Sequence, residues 1–301
     1  MHILFLTDNF PPEVNAPATR TFEHCREWVK RGHKVTVITG APNFPTGRIF
    51  EGYKNNLRSR ETMEGIDVIR VWTYITANEG FLRRTIDYAS FMMTAVPAAL
   101  GVRKVDIIVA TSPQLFTPSA AYLSGLFKRR PYVFELRDLW PESIRAVGAM
   151  KSSRILDALE GLELFLYRRA AHIVSVSPAF KKNLTDRGIP GNKISITTNG
   201  ADLSRFRPAS RDAELAESLG LTGKTVVGYV GTHGMAHALH TVLEAAERLK
   251  DEPTTRNLTF MFLGDGAEKA ALKKRAAERN LDNVLFLDSV PRSEVARYWS
   301  L

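Results

Sequence analysis

Short apolar runs alternate with longer amphipathic stretches along the whole chain, and this alternation is typical of parallel α/β sheets with right-handed crossovers. Turn residues at Glu64-Gly65 predict a hairpin between the third and fourth strands. The apolar runs predict strands at 2–6, 34–39, 57–63, 66–72, 106–110, 131–135, 172–176, 193–197, 225–230, 258–263 and 284–287. The amphipathic stretches predict helices at 18–31, 81–101, 115–128, 153–170, 178–187, 238–250, 266–279 and 293–300.

The alternation is interrupted between Leu203 and Lys224, where a proline- and charge-rich stretch and a short helical piece precede a fresh buried strand. We therefore predict a first domain over 1–202, a linker over 203–224 and a second domain over 225–301. Both domains are expected to be doubly wound and Rossmann-like, with the carboxyl ends of their strands facing a shared cleft. The second has only three predicted strands where about five or six are usual, so we expect it to be incomplete, as in a truncated chain.

Three glycine-bearing turns in the second half of the chain each follow an apolar run. Glycine lets the backbone approach a phosphate closely, and the N–H groups at a helix N-terminus attract anions. The turns therefore predict a crevice that suits a nucleotide diphosphate. The candidate contacts are Asn199, Gly231, Thr232, His233, Gly234, Gly264, Asp265 and Gly266.

Two of these candidates allow a second interpretation. Asp265 is either the N-cap of the following helix or a contact to ribose or base, and both roles can coexist. Asn199 belongs to the turn 199–202, which we expect to join the domains and to act as a hinge or as part of the site.

Two well-known nucleotide-binding motifs are missing where they would be needed. The loop 7–17 after the first strand has no glycine, so it cannot be a G-x-G-x-x-G dinucleotide fingerprint. Gly223-Lys224-Thr225 precedes a strand instead of following one, so it is not a P-loop. These absences argue against a nicotinamide-dependent oxidoreductase and a P-loop nucleotidase.

Histidines follow the second glycine turn at His233, His237 and His240, a spacing that would put them on one helical face. No carboxylate or cysteine stands nearby to complete a metal site. We therefore expect no bound metal.

Two loops in the first half carry candidate site residues. Pro11 and Pro12 stiffen the loop before the first helix, which contains Arg20, so this loop is expected to form one wall of an acceptor site with Glu13 and Asn15. The loop 135–143 follows a strand and has the composition of a sugar-binding wall, on which Trp140 could stack. The alternative is a surface cluster of Arg137, Asp138 and Glu142, with Trp140 in the core.

The formal net charge of +9 favours an acidic partner, such as nucleotide phosphates, an anionic membrane or nucleic acid. No basic stripe with interleaved aromatic residues is present, so we expect no nucleic acid. The apolar window 88–102 is shorter than the ~20 residues of a spanning helix. Basic residues flank it within 81–104, so it is either a core helix or a helix that lies on an anionic bilayer.

A single cysteine, Cys25, excludes an intramolecular disulfide and fits a reducing cytoplasm. The beginning of the chain has no basic region and reaches Asp8 too early for a signal peptide. We expect a cytoplasmic protein that is peripheral on the inner face of the plasma membrane if the segment 81–104 binds lipid.

With these pieces in order, the chain resembles the retaining glycosyltransferases of family 4, particularly bacterial enzymes that build lipopolysaccharide or exopolysaccharide. The stretches 199–206, 264–266 and 284–295 carry the resemblance. Pro11-Pro12-Glu13-Val14 and Leu139-Trp140-Pro141-Glu142-Ser143 are similar to the subgroup that transfers amino sugars such as fucosamine or N-acetylglucosamine.

The resemblance implies a GT-B fold, in which the first domain binds the acceptor and the second binds the nucleotide sugar. It implies sugar transfer from a nucleotide sugar, a UDP-sugar by expectation, to a polysaccharide or lipid-linked acceptor, without cofactor or metal. Front-face attack, assisted by the leaving diphosphate, would retain the anomeric configuration, so the protein mainly stabilises charge and positions the acceptor. We expect Arg20, Arg137 and Asp138 to be the catalytic residues.

Two features depart from the family pattern. In the family, an arginine and a lysine usually follow the first strand of the second domain and bind the diphosphate. Here residues 232–240 contain histidines but no arginine or lysine. The diphosphate-binding cation would then be Arg20 or Arg137, or in part His233 and His237. A pair of glutamates with seven residues between them, which grips the donor, normally lies further along than Leu301. Glu244 and Glu252 have that spacing at the wrong place relative to the strands, and we do not assign them the role.

Two alternatives follow from these departures. The chain could be a catalytically inactive binding or structural remnant of such an enzyme. It could also be a nucleotide-sugar epimerase of the same fold, which the ordered motifs disfavour.

Overall fold

The computed structural model describes residues 1–44, 46–76, 81–112, 114–140, 142, 153–203, 205–291 and 293–301. Within the motifs named above, Pro141, Ser143, Ser204 and Arg292 lie outside these residues. The chain separates into two compact units, residues 1–199 and residues 200–301.

The first unit is built on an eight-stranded sheet. Its strands run parallel except for β3, which pairs antiparallel with β4. The order across the sheet is β3-β4-β2-β1-β5-β6-β7-β8. The strands are β1 (His2–Leu6), β2 (Lys34–Thr39), β3 (Arg58–Met63), β4 (Ile66–Val71), β5 (Ile107–Thr111), β6 (Tyr132–Leu136), β7 (His172–Ser175) and β8 (Ile194–Ile196).

Helices cover the two faces of this sheet because the strands present apolar side chains on both sides. On one face, Cys25 of the first helix packs with Phe5 and Val37. On the other, Phe91 and Ala95 of the second helix pack with Leu4 and Ile108. The helices are α1 (Ala16–Lys30), α2 (Phe81–Leu100), α3 (Phe116–Lys128), α4 (Ser153–Arg169) and α5 (Pro178–Asp186).

The second unit has a parallel sheet in the order β11-β10-β9. Phe260 and Phe262 of the central strand pack against Leu243 and Leu272 from two helices. The strands are β9 (Thr225–Val230), β10 (Leu258–Leu263) and β11 (Val284–Leu287), and the helices are α6 (Ala213–Ser218), α7 (His240–Leu249), α8 (Lys269–Glu278) and α9 (Val295–Tyr298).

These elements confirm the predicted α/β class and the eleven predicted strands, whose ends agree to within one residue. The hairpin at Glu64-Gly65 is confirmed, with φ of 45° and 81° at its two central residues. The short helical piece expected before the second sheet is α6, which Asp212 caps by accepting a hydrogen bond from the Leu215 N–H at 2.9 Å.

The helices after the glycine turns differ from the prediction. A 3-10 turn over Met235–His237 and a left-handed Ala238 separate Gly234 from α7, so the helix predicted over 238–250 spans His240–Leu249. The helix predicted from residue 266 begins at Lys269, and the one predicted over 293–300 is the single turn of α9. Helices therefore do not directly follow the glycine turns after β9 and β10.

Candidate functional site

In the second unit, the loops that follow β9 and β10 touch through their backbones. A Cβ built on Gly264 would lie 2.0 Å from the Gly231 carbonyl oxygen, and one on Gly266 would lie 2.5 Å from the His233 carbonyl oxygen. Gly264 and Gly266 also have φ of 142° and 157°. Only glycine fits these two positions, because any other residue would combine a clash with backbone strain.

Hydrogen bonds extend this contact beyond the sheet. The Gly231 N–H donates to the Leu263 carbonyl, and the His233 N–H donates to the Asp265 carbonyl, each at 2.9 Å. Returning from the other loop, the Glu268 N–H donates to the His233 carbonyl at 2.9 Å. The two loops therefore form one rigid rim at the carboxyl ends of their strands.

This rim borders a pocket of about 210 Å³, which we call the donor pocket. Hydroxyl groups, glycine backbone and one carboxylate converge on it, a combination suited to phosphate oxygens and ribose hydroxyls. Its lining residues are Val230, Gly231, Thr232, Leu263, Gly264, Asp265, Ser289, Val290 and Val295. The structure thus brings together Gly231, Thr232, Gly264 and Asp265 from the sequence-based candidates, whereas Gly234, Gly266 and His233 do not line the pocket.

His233 is fully buried and lies under the rim. Its ring is 6.1 Å from the Phe262 ring and 6.4 Å from the Phe286 ring, centroid to centroid. Neither ring nitrogen has a hydrogen-bond partner among the described residues, and burial lowers the pKa of the imidazole. The predicted helical face of His233, His237 and His240 is wrong, because the first lies in a loop, the second in a 3-10 turn and the third at the beginning of α7.

Asp265 is exposed at the rim. Its Oδ1 accepts a hydrogen bond from the N–H of the adjacent Gly266 at 2.7 Å. The helix α8 has Glu268, not Asp265, at its N-cap position, so the capping interpretation is wrong. Among the described residues, no group of three or more His, Cys, Asp and Glu side chains is arranged to hold a metal ion.

The first unit has its own pocket, at the carboxyl ends of β1, β2, β4 and β5. The strand order reverses between β1 and β5, the place where ligands bind in open α/β sheets. The cavity measures about 210 Å³, and we call it the first-unit pocket. Carboxylates and amides dominate its polar lining, which includes Asp8, Asn9, Glu13, Asn15, Asn43, Arg84, Asp87, Tyr88 and Gln114.

Two acceptor-side candidates, Glu13 and Asn15, lie in this lining and also hold the loops together. Glu13 is 4% exposed, and its Oε1 accepts from the N–H groups of Asn43 and Phe44 at 2.8 and 2.9 Å. Asn15 is the N-cap of α1, where its Oδ1 accepts from the Ala18 N–H at 2.9 Å. Its amide nitrogen donates to the Asn9 Oδ1 at 2.7 Å.

Asp8 and Asp87 make the first-unit pocket acidic. Burial raises the pKa of Asp8 to about 6, although hydrogen bonds from Gln114 and Thr117 oppose the shift. Burial, together with the negative charge of Asp8, raises the pKa of Asp87 to about 7. The pocket therefore changes its charge near neutral pH and favours ligands that offer hydroxyl or ammonium donors.

A charged cluster lies beside this pocket, at the ends of β5 and β6. Arg20 donates to the Thr111 hydroxyl at 2.9 Å and lies 3.5 Å from the Glu135 carboxylate. Arg137 donates from its backbone to the Ser112 hydroxyl at 2.8 Å and from its guanidinium to the Asn199 side-chain oxygen. Burial and the positive charge of Arg20 lower the pKa of Arg137. The structure thus brings together three candidates from separate parts of the sequence, Arg20, Arg137 and Asn199.

The neighbouring candidates are placed differently. The Asp138 N–H donates to the Ser112 hydroxyl at 3.3 Å, so its backbone is fixed beside Arg137. Trp140 is half-buried and packs against the main core of the first unit, as the alternative interpretation has it. Glu142 accepts a hydrogen bond from Asn183 at 3.2 Å instead of joining Arg137. Stacking of Trp140 on a sugar stays a prediction.

Three residues of these sites were missed by sequence reasoning. Asp8 and Asp87 lie far apart in the chain, and only the sheet order brings their segments to one pocket. Lys269 is buried behind the donor pocket, where its Nζ donates to the Gly264 carbonyl oxygen at 2.7 Å. The position of Asp8 at the end of the first buried strand was the one available signal, since such positions commonly carry site residues.

Helix α2 has both a core face and an exposed face. Phe91, Ala95 and Ala99 are buried, whereas Met93 is 72% exposed and Ile86 and Leu100 are nearly half exposed. None of the helices that the structure describes combines the length and the hydropathy required to cross a bilayer. The predicted core helix is confirmed for one face, and the other face carries exposed apolar side chains.

Two Rossmann-like units with pockets at the carboxyl ends of parallel strands define a class of nucleotide-binding α/β proteins. Comparison with known proteins narrows the class. Residues 15–200 match the Glycosyl transferase 4-like domain, and residues 211–300 match Glycosyl transferases group 1. The chain therefore belongs to the glycosyl transferases with a 4-like first domain and a group 1 second domain.

One relative of the chain is named for the biosynthesis of a bacterial polysaccharide. The chain is 26% identical over 295 residues to a putative colanic acid biosynthesis glycosyl transferase, WcaI, of Escherichia coli K12, with 95% of this chain and 71% of WcaI covered.

Among solved structures, Anabaena HepE, crystallised with UDP and glucose, has a TM-score of 0.69 at 18% identity, covering 99% of this chain and 71% of HepE. WaaG, a glycosyltransferase involved in lipopolysaccharide biosynthesis, has a TM-score of 0.64 at 16% identity, covering 98% of this chain and 72% of WaaG. These likenesses confirm the predicted GT-B fold class. Neither family match supports the epimerase alternative.

Proposed function

We propose that this protein transfers a sugar from a nucleotide-sugar donor to a surface-polysaccharide or lipid-linked acceptor. The observation that carries the proposal is the rim of the donor pocket, where Gly264 lies against the Gly231 carbonyl so closely that no side chain fits. The glycines Gly231 and Gly264 let a diphosphate approach the backbone of the rim, which large side chains at these positions would prevent. Membership of the glycosyl transferases supports the same activity.

The proposed donor is a nucleoside diphosphate sugar. We favour UDP as its nucleotide because HepE, which shares the fold, was crystallised with UDP and glucose. We assign the diphosphate to Gly231, Thr232 and Gly264, with Asp265 at the ribose or base. An N-acetylated amino sugar is the proposed donor sugar, supported by the two subgroup-like motifs at 11–14 and 139–143.

We propose that transfer retains the anomeric configuration and needs neither metal nor cofactor. As the bond to the sugar breaks, negative charge grows on the leaving diphosphate, so cations fixed in advance stabilise the transition state. Arg20 and Arg137 are the proposed cations, since both are anchored by hydrogen bonds and both lie near Glu135. Asp138, fixed beside Arg137, is the proposed contact to a reacting hydroxyl, and Asn199 orients the Arg137 guanidinium.

The acceptor sugar is assigned to the first-unit pocket, with Glu13 and Asn15 in its wall and Trp140 as a stacking surface. Amide and carboxyl groups dominate its lining, which suits the hydroxyl groups of a neutral sugar. A diphosphate would meet Asp8 and Asp87 there, so the phosphate part of a lipid-linked acceptor is assigned elsewhere.

We further propose that the segment 81–104 touches an anionic membrane from the cytoplasmic side. Ile86, Met93 and Leu100 are spaced seven residues apart, so they share one exposed face of α2. Exposed basic residues stand near both ends of the helix, at Arg83 and Lys104 among others. Apolar side chains between basic ends are typical of helices that lie in the interface.

A transfer assay on the 301-residue chain tests the proposal. UDP-, GDP- and dTDP-linked N-acetylamino sugars are offered with a lipid-linked acceptor, and the anomeric configuration of the product is read by NMR. We expect transfer with retention from the UDP-sugar, and a loss of about 100-fold in turnover for Arg20→Ala and for Arg137→Ala. Lys30→Ala, on the exposed end of α1, is the matched control and should keep full turnover.

Each alternative predicts a different result. Unchanged turnover in both arginine variants would reject their catalytic role. Absence of transfer from every donor, with nucleotide binding intact, would favour the inactive binding remnant. Inversion of the anomeric centre would contradict the retaining mechanism.

A further inference from the structure

Lys269 has an unusual position for a lysine. It is the first residue of α8, yet it is only 7% exposed. Its Nζ donates to the Gly264 carbonyl at 2.7 Å, to the Leu287 carbonyl at 3.0 Å and to the Asp288 Oδ1 at 2.6 Å. Three acceptors use the full donor capacity of an ammonium group.

The three acceptors connect the two sides of the donor pocket. Gly264 is the first residue after β10 and lines the pocket itself. Leu287 ends β11 and, with Asp288, directly precedes Ser289 and Val290, which line the opposite side. One ammonium group therefore bridges the loops that follow two neighbouring strands, beside the direct hydrogen bond from the Gly264 N–H to the Leu287 carbonyl at 3.3 Å.

Burial of the Lys269 side chain costs free energy. An ammonium that leaves water loses hydration energy, and its counter-ion Asp288 has a side chain that is 91% exposed and mostly solvated. Burial lowers the pKa of His233, and the positive charge of Lys269 lowers it further. The field of the ammonium therefore reaches the loop after β9. Residues 232–240 contain no lysine or arginine, so Lys269 gives this side of the pocket a positive charge that the loop itself lacks.

We propose that Lys269 is a positioning residue of the donor pocket, which ties the ends of β10 and β11 together and holds a positive charge behind the site of the donor diphosphate. The inference rests on the proposed function for its ligand, but its geometry concerns the loops alone. Lys269 does not touch the donor in this arrangement, because its three donors are engaged.

Calorimetric titration of the full chain with UDP and with uridine tests the role. Lys269→Met keeps the length of the side chain and removes both charge and hydrogen bonds. We expect it to weaken UDP binding about tenfold, the effect of losing a charged hydrogen-bond network, while uridine binding changes little. Lys269→Arg, which keeps the charge, should recover part of the loss.

Lys274→Met is the matched control, since Lys274 lies on the same helix and is exposed in a pair with Glu278 at 3.8 Å. Its affinity for UDP should equal that of the wild type. Wild-type affinity for UDP in Lys269→Met, or an equal loss of UDP and uridine binding, would overturn the inference. The second result would indicate a general loss of fold.

Amide hydrogen exchange separates this inference from the proposed function. If the wild type binds no nucleotide diphosphate, the proposed function fails, and the exchange rates of 264–266 and 288–290 still report on Lys269. Faster exchange in these loops in Lys269→Met than in Lys274→Met supports the positioning role. Equal rates would overturn it.

Discussion

Gly264 lies against the carbonyl oxygen of Gly231, and a Cβ on Gly264 would stand 2.0 Å from that oxygen. The contact joins the loops after two parallel strands and defines the rim of the donor pocket. Because backbone meets backbone at this contact, the rim is rigid, and its glycines leave room for a ligand to reach N–H groups.

Gly264→Ala should destabilise the second unit by more than ~2 kcal/mol, because the methyl group clashes with backbone that cannot move away and φ of 142° strains any side chain. Thermal unfolding followed by circular dichroism measures the change. Gly161→Ala is the control, since Gly161 lies in α4 with open space around it, and we expect a gain of ~0.5–1 kcal/mol. Equal stability of the Gly264 variant and the wild type would show that the two loops can move apart to accommodate the methyl group.

Arg70→Lys should lower the free energy of unfolding by ~2–4 kcal/mol, because one buried guanidinium braces three partners. Arg70 is 3% exposed and donates to Glu61 at 2.6 Å, to the Gly40 carbonyl at 2.9 Å and to the Pro11 carbonyl at 2.5 Å. Each bond comes from a different nitrogen of the planar guanidinium, so the single nitrogen of a lysine cannot reach all three acceptors. Urea unfolding checks the value, with Arg60→Lys on the exposed edge strand as a control that should cost little.

Asp87→Asn should change how stability depends on pH. The pKa of Asp87 in the fold, about 7, is raised above its ordinary value of 3.8, so the stability contributed by proton binding is present at low pH and lost as pH rises through 7. We therefore expect the melting temperature of the wild type to fall more between pH 5 and pH 8 than that of Asp87→Asn. The melting temperatures in matched buffers at these two pH values measure it. Parallel pH curves for the two proteins would contradict the assignment.

Met93→Asp should reduce binding to vesicles that contain anionic lipid if the exposed face of α2 enters the interface. Met93 is 72% exposed, so the change leaves the core intact while placing a charge in the apolar stripe. Co-sedimentation with phosphatidylglycerol vesicles measures the bound fraction. The control Leu57→Asp alters an apolar residue that is even more exposed, at 81%, and lies outside the segment 81–104. Equal binding by both variants and the wild type would show that the exposed face of α2 does not contact the membrane.

Apart from the polar edge strand β3, most strands were predictable because they are apolar runs that the sheet buries, and turn residues separate these runs. The glycine turns were predictable for the same reason, since Gly231 and Gly264 follow such runs. Their contact with each other was not, because it depends on the pairing of β9 with β10.

The sequence placed His233 on a helix and gave no sign of Lys269, and both errors have a common physical cause. The spacing of His233, His237 and His240 is helical, but Ala238 adopts φ of 48° and breaks the helix, and aromatic residues from β10 and β11 bury the first ring. A lysine in the first turn of a helix is normally solvated, and its burial follows from carbonyl groups at the ends of two strands. Such tertiary contacts leave no periodic signal in the sequence.

The central claim is that the donor pocket of the second unit binds a nucleoside diphosphate. Amide hydrogen exchange of the 301-residue chain with and without saturating UDP tests it most directly. We predict slower exchange at residues 231–232, 264–265 and 289–290 when UDP is present, and no such change with uridine alone. Unchanged exchange at these residues with UDP, GDP and dTDP would contradict the claim.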